Sequence, residues 1–185
     1  MCRYKLIADG KRQITGFYIP GDIPDLQSLY LHVMDHSVGT LIPSKIAFIP
    51  HDPLRAVLRK HPILAEAFWR DTLIDAARFR EWIIGLGRRD AYTRIAPLFC
   101  ELFVRHRAVA LTENHGFDLH TTQAELGDAL GLSTVHVNRV LQDLRKDGLI
   151  SLRGKSLAIL DWNGLKQAGE FDPLYLHLKN GVAAE

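Results

Sequence analysis

The sequence predicts an α+β fold: short strands first, one long helix in the middle, then a compact unit of two short helices and a β-hairpin. Three observations predict it. The first 50 residues carry short β-prone runs punctuated by Gly and Pro. Residues 63–86 keep helical periodicity over more than six turns. "TTQAELGDALGLSTVHVNRVLQDLRKDGLISLRGKSLAIL" then holds two capped helical repeats and a cationic hairpin within forty residues.

Taken in order, "CRYKLIADGKRQITGFYIPGD" gives two strands about Asp9-Gly10, a strong hairpin signal. "DLQSLYLHVMD" reads as a short helix, and "SVGTLIPSKIAFI" as two more short strands broken at Pro43. Asp52-Pro53 is an N-cap and first-position pair for a helix ending near His61-Pro62. The long helix runs from about Ile63 to Leu86 and is broken at Gly85 to Gly87. At ~100° per residue its apolar side chains, Phe68, Trp69, Leu73, Phe79, Trp82 and Ile83 among them, fill about half the circumference. That arc is wider than one packing surface needs. Two readings stand: a plain core helix, or a helix packed on its own domain and also on a partner helix through Phe79, Trp82, Ile83 and Leu86. Asp75 and Arg80 interrupt the arc, so it is not a clean heptad seam. A further helix starts near Asp90 and runs to about Arg107, with Pro97 as a kink point. The polar loop "TENHGFDLH" precedes the C-terminal unit.

Bulk properties exclude several classes. With 23 Lys and Arg against 21 Asp and Glu, the net charge of +2 establishes no nucleic-acid partner, so any basic patch is local. The two cysteines, Cys2 and Cys100, offer no CxxC, zinc spacing or disulfide framework, which suits a reducing, cytoplasmic setting. No apolar run reaches the ~18 residues of a membrane span, and no signal segment opens the chain.

In the C-terminal unit, Thr122-Gln-Ala-Glu125 has capping-box form. Gly127 is small where a second helix can cross, Gly131 permits a tight turn, Leu132 plugs the gap and Ser133 caps the next helix. There Val137, Val140, Leu141 and Leu144 form the core stripe. Val135, Asn138, Arg139, Gln142 and Lys146 lie opposite. Most surface helices have a solvated polar face, and taken alone this edge would be one. But it follows a helix-turn-helix turn, Arg and Asn suit the edges of guanine and adenine, and strand, Arg153-Gly154-Lys155 turn and strand follow as a wing suited to phosphate. Together these predict double-stranded DNA as partner.

Residues 119–160 resemble the winged helix-turn-helix of the Crp/Fnr transcription-regulator superfamily, and the upstream order of β-rich segment and long helix is similar to that family too. The resemblance implies a partial β-roll (jelly-roll-like) sensor-like segment at 1–62, a dimerisation helix at 63–88 and a winged helix-turn-helix domain at 89–185. It implies a cytoplasmic homodimer reading a palindromic site, with RNA polymerase as a candidate partner and the effector unknown. Carried over residue by residue, Thr134, Val135, Asn138 and Arg139 fall where the family contacts bases. Thr122, Ser133 and His136 fall where it touches phosphate. Gln142, Arg153 and Lys155 complete the expected DNA-binding set.

Two departures matter. Many members have Glu where Val135 stands. Val offers only methyls, so the facing base pair should be weakly specified or T-biased. The 62 residues ahead of the long helix fall short of a complete β-roll, and the stretch "PGDIPDLQSLYLHVMDHSVGTLI" lacks the Arg-bearing cassette for a cyclic phosphate. Cyclic nucleotides are not expected, and an iron–sulfur cluster would need more cysteines than two. No cofactor is expected. His32 and His36 would share a helical face and could bind a metal, but no third ligand is evident, and surface histidines are the simpler reading. No nucleophile–base pair or phosphate loop suggests an enzyme. The competing functions are a dimerising family member acting by protein association and a metal-sensing repressor using His32 and His36.

Overall fold

A computed structural model describes residues 1–178 of the 185; the last seven residues of the expected 89–185 domain lie outside it. The predicted hairpin forms from β1 (Cys2–Leu6) and β2 (Arg12–Phe17). Gly10 takes φ +81° in the turn, and the Asp9 carboxylate accepts from the Lys11 N–H at 3.0 Å. The third strand, β3 (Ser37–Gly39), pairs antiparallel with β1, giving the order β2-β1-β3.

Between β2 and β3 the sequence expectation fails. Only Leu26–Leu29 is helical, as one 3-10 turn, and His32 to His36 lies in bends. Ser37–Gly39 is claimed by β1, and the chain between Tyr30 and that strand turns through bends instead of coiling. His32 and His36 therefore share no helical face, and His36 instead bonds to its neighbour Asp35 at 2.9 Å. The second strand expected in "SKIAFI" is also absent: it has no pairing partner among the described residues, and Phe48 is 90% exposed.

Helix α1 spans His51–Lys60, capped at Pro50 rather than at Asp52. Asp52 sits in the first turn, where its charge favours the helix dipole, and Pro53 is tolerated because first-turn N–H groups have no intrahelical partner. Helix α2 spans Pro62–Arg88. Gly85 and Gly87 do not end it. The stop is extended backbone at Arg89, whose guanidinium reaches back to Glu81 at 2.6 Å. Helix α3 (Ala91–Ala108) starts at an Asp90 cap and passes through Pro97. Every residue from Ile95 to Arg105 is buried, so α3 is the central element, packed on all sides.

The C-terminal unit follows as β4 (Gly116–Asp118), α4 (Gln123–Leu130), α5 (Thr134–Lys146), β5 (Ile150–Arg153), β6 (Ser156–Ile159) and α6 (Trp162–Ala168). Its sheet has the order β4-β6-β5. One continuous apolar core joins Cys2, Ile14 and Phe17 of the first sheet to Phe99 and Phe103 of α3 and to Leu126, Leu141 and Leu144 of the C-terminal unit. Arg12 pairs with Asp128 at 2.9 Å, and the Gln13 side chain donates to the Ala129 carbonyl at 3.0 Å, so the hairpin lies directly on α4. Cys2 and Cys100 are both buried free thiols, and burial pushes the Cys100 thiol up.

An all-round buried helix carrying Glu101 and Arg105 must satisfy two charges internally. Glu101 accepts from Arg78 (2.9 Å), Arg105 (3.2 Å), the Trp82 indole (3.0 Å) and the Tyr175 hydroxyl (3.1 Å). Arg78 and Arg105 each also donate to the Phe17 carbonyl at 3.0 Å, and Arg105 reaches Asp22 at 2.6 Å. Burial disfavours the carboxylate, but the two guanidiniums together with the Trp82 indole outweigh it and hold Glu101 below the ordinary carboxylate range.

Candidate nucleic-acid interface

The two helices that would present α5 to a duplex are fixed by local chemistry. The Thr122 hydroxyl accepts from the Glu125 N–H at 3.2 Å, while the Glu125 carboxylate accepts from the Thr122 N–H at 2.7 Å. Gly131 turns the chain at φ +66°. A Cβ on Gly127 would run into the carbonyl oxygen of Leu132, well inside van der Waals contact, so the turn folds tightly over α4 only because that residue is glycine. Gly127→Ala is expected to destabilise the fold by roughly 1–3 kcal/mol through overpacking against backbone. A lowered urea midpoint, accompanied by weaker duplex binding, checks it.

Ser133 caps α5, its hydroxyl accepting from the His136 N–H at 3.2 Å. Val137, Val140, Leu141 and Leu144 are buried, and Val135, Asn138, Arg139, Gln142 and Lys146 are exposed, Val135 at 81%. Thr134 is exposed at the helix start and His136 is half-buried beside it. The far end of α5 is held too, by the Tyr92 hydroxyl donating to Asp147 at 2.7 Å. Arg94 donates to the Leu130 carbonyl at 3.1 Å, tying the turn to α3. The outward edge thus sits on a helix secured at both ends.

The wing turn is tighter than expected. Arg153 pairs with Ser156 as the last ladder residue, leaving Gly154-Lys155 as a two-residue turn with Gly154 at φ +60°. Arg153 and Lys155 are exposed, and the Lys155 carbonyl accepts from the Leu119 N–H at 2.7 Å, so the tip is anchored.

The apolar arc of α2 divides into two faces. Phe79 and Trp82 turn toward the chain's own core: the Arg3 guanidinium lies 4.4 Å from the Phe79 ring centre, and Trp82 bonds to Glu101 and packs on Phe17. Ile83 is 67% exposed, and with Trp69, Leu73 and Ile84 it forms an outward apolar stripe. Leu86 lies at the margin, its side chain close to Gly131 of the helix-turn-helix turn. Phe79 and Trp82 thus have contacts within the chain, and each remains half-buried beside the outward stripe. Ile84 carries no separate signal in the sequence, where periodicity gives an arc but not its split.

Two features have no sequence signal of their own. One is the four-donor cradle of Glu101. The other is a side-chain pair on α5, in which Arg139 meets His136 Nε2 at 2.7 Å. Among the described residues no group of three or more His, Cys, Asp or Glu is arranged to hold a metal ion, and no helix is long and apolar enough to cross a membrane.

Comparison with known proteins agrees with this geometry. The Crp-like helix-turn-helix domain family matches residues 93–168. The chain is 31% identical over 155 residues to the transcriptional activator protein FnrL of Cereibacter sphaeroides, covering 82% of this chain and 62% of that protein. It is 29% identical over 162 residues to the anaerobic regulatory protein of Haemophilus influenzae, covering 88% and 63%. The chain therefore spans less than two thirds of the length of these relatives. In fold it is similar to FixK2 from Bradyrhizobium japonicum, with TM-score 0.69 at 21% identity over 90% of this chain and 81% of that one. A Crp/Fnr-family regulator from Thermus thermophilus gives TM-score 0.67 at 18% identity over 91% and 82%.

Proposed function

This chain belongs to the Crp/Fnr superfamily, and from that membership we propose that it is a cytoplasmic, sequence-specific DNA-binding transcription regulator rather than an enzyme. The observation that carries the reading is the exposed edge of α5, capped by Ser133 and tethered through Asp147, with a cationic wing following. In it Thr134, Val135, Asn138 and Arg139 face base edges, with Gln142 further along the same edge. Thr122, Ser133, Arg153 and Lys155 lie toward the phosphates, and His136 stands beside Arg139 on α5. Two chains pair through the outward stripe of α2 to read a palindrome with two copies of α5, and RNA polymerase is the candidate protein partner.

Selection of bound sites from random duplexes tests this. A palindrome should emerge whose half-site carries a guanine read by Arg139 and is weakly specified or T-biased opposite Val135. Arg139→Ala should cost roughly 1–3 kcal/mol and relax selection at that guanine. Lys155→Ala should weaken all sequences about equally and lower the salt slope by about one phosphate contact. If Arg139→Ala lowered every site by one factor, α5 would not lie in the groove as proposed.

A second reading, regulation through protein association, is favoured by the exposed apolar side chains Tyr30, Val33 and Phe48 near the N-terminal sheet, each more than three-quarters solvent-accessible. It would gain if the selection enriched no sequence.

A further inference from the structure

We infer that His136 is a positioning residue for Arg139, holding the guanidinium in place so that this helix discriminates guanine. This rests on the DNA-binding reading above and assigns a residue within it a role other than the phosphate contact expected from the resemblance.

A guanidinium has five N–H donors and no acceptor, so in the 2.7 Å contact Arg139 donates and His136 Nε2 accepts. The contact therefore uses the imidazole tautomer that carries its proton on Nδ1. The two residues stand three apart on α5, a spacing that brings side chains together across one helical turn. The backbone of His136 is itself fixed, since its N–H is the group that Ser133 caps.

Among the described residues Arg139 makes no bond to Gln142 or Asp143, one turn on, and its partner is His136. Arg139 is exposed, and the residue one turn back on its own edge is Val135, which offers no acceptor. A free Arg side chain carries considerable rotamer entropy, and a contact made on binding must overcome it. A guanidinium already tethered by one donor has less to lose. It keeps enough N–H groups for the bidentate contact to guanine N7 and O6. His136 therefore acts on base discrimination through Arg139 without touching the base.

The test is a double-substitution cycle, read by fluorescence anisotropy. The probes are a duplex carrying the site the wild-type protein selects and the same duplex with the Arg139-read G·C pair replaced by A·T. His136→Ala should reduce the preference for guanine by about two- to ten-fold, within the range of coupled neighbouring residues. It should leave binding to the A·T duplex and the salt slope nearly unchanged. In the Arg139→Ala background the same substitution should change nothing. His136→Gln, whose amide oxygen can accept from Arg139, should recover most of the preference. Because the cap bond uses the His136 backbone, all variants keep it, and equal urea midpoints check this. Equal loss on both duplexes with a flatter salt slope would make His136 a phosphate contact and overturn the inference, as would additive effects of the two substitutions. If the wild type selects no sequence at all, the DNA-binding reading itself has failed and this inference falls with it, an outcome distinct from the others.

Discussion

Glu101→Gln is expected to destabilise the protein by about 3–5 kcal/mol, the range for removing one partner from a buried ion cluster. The amide retains the shape of the carboxylate but not its charge. Arg78 and Arg105 would stay buried beside a neutral group, and the amide NH2 would face one of the four donors that Glu101 now accepts from. The urea midpoint should fall without a change in slope. The effect has a pH signature. Glu101 is held below the ordinary carboxylate range, so its stabilisation is present at neutral pH and is lost as pH falls through the folded-state value. Wild-type stability should drop steeply on acidification, and Glu101→Gln should flatten that drop. A variant as stable as the wild type at pH 7 would show that the cluster contributes nothing net.

The second large effect is expected at Ile83. Its side chain is 67% exposed and takes no part in the chain's own core, so Ile83→Glu should leave the folded monomer intact. In a homodimer paired through Trp69, Leu73, Ile83 and Ile84 the new carboxylate would be buried without a partner, which is strongly unfavourable. Sedimentation should show a dimer for the wild type at micromolar concentration and a monomer for the variant. Affinity for the palindrome should fall by on the order of 10²–10⁴, because the second half-site is no longer bound from the same particle. A wild-type monomer, or a variant that remains dimeric, would remove α2 as the pairing surface.

The residues that can be read from sequence are those whose partners are near in sequence. Thr122 with Glu125, Gly131 and Ser133 all act within four positions, and the structure places each as the pattern implies, while the wing turn closes one residue tighter than expected. The N-terminal segment departs from its local pattern where distant pairing decides the outcome. His32 to His36 has helical spacing but runs in bends into Ser37–Gly39, which pairs with β1. Trp82 belongs by periodicity to one broad arc, yet Phe17 and Glu101 turn it inward. Glu101 itself has the look of an ordinary polar residue on an amphipathic helix. Nothing near it in sequence announces Tyr175 or Arg78.

The hairpin β1–β2 shares its core with α4 and α5 and is bolted to α4 through Arg12–Asp128 and Gln13–Ala129. Among the described residues, no seam separates the hairpin from the helix-turn-helix unit. Heat or denaturant meets one cooperative unit, and calorimetry should give a single transition with matching van't Hoff and calorimetric enthalpies. Hydrogen exchange should find the most protected amides at both ends at once, in β1 and in α5, opening with the same free energy. Loosening the sheet would then lower the protection of the helix that carries Arg139 by the same amount.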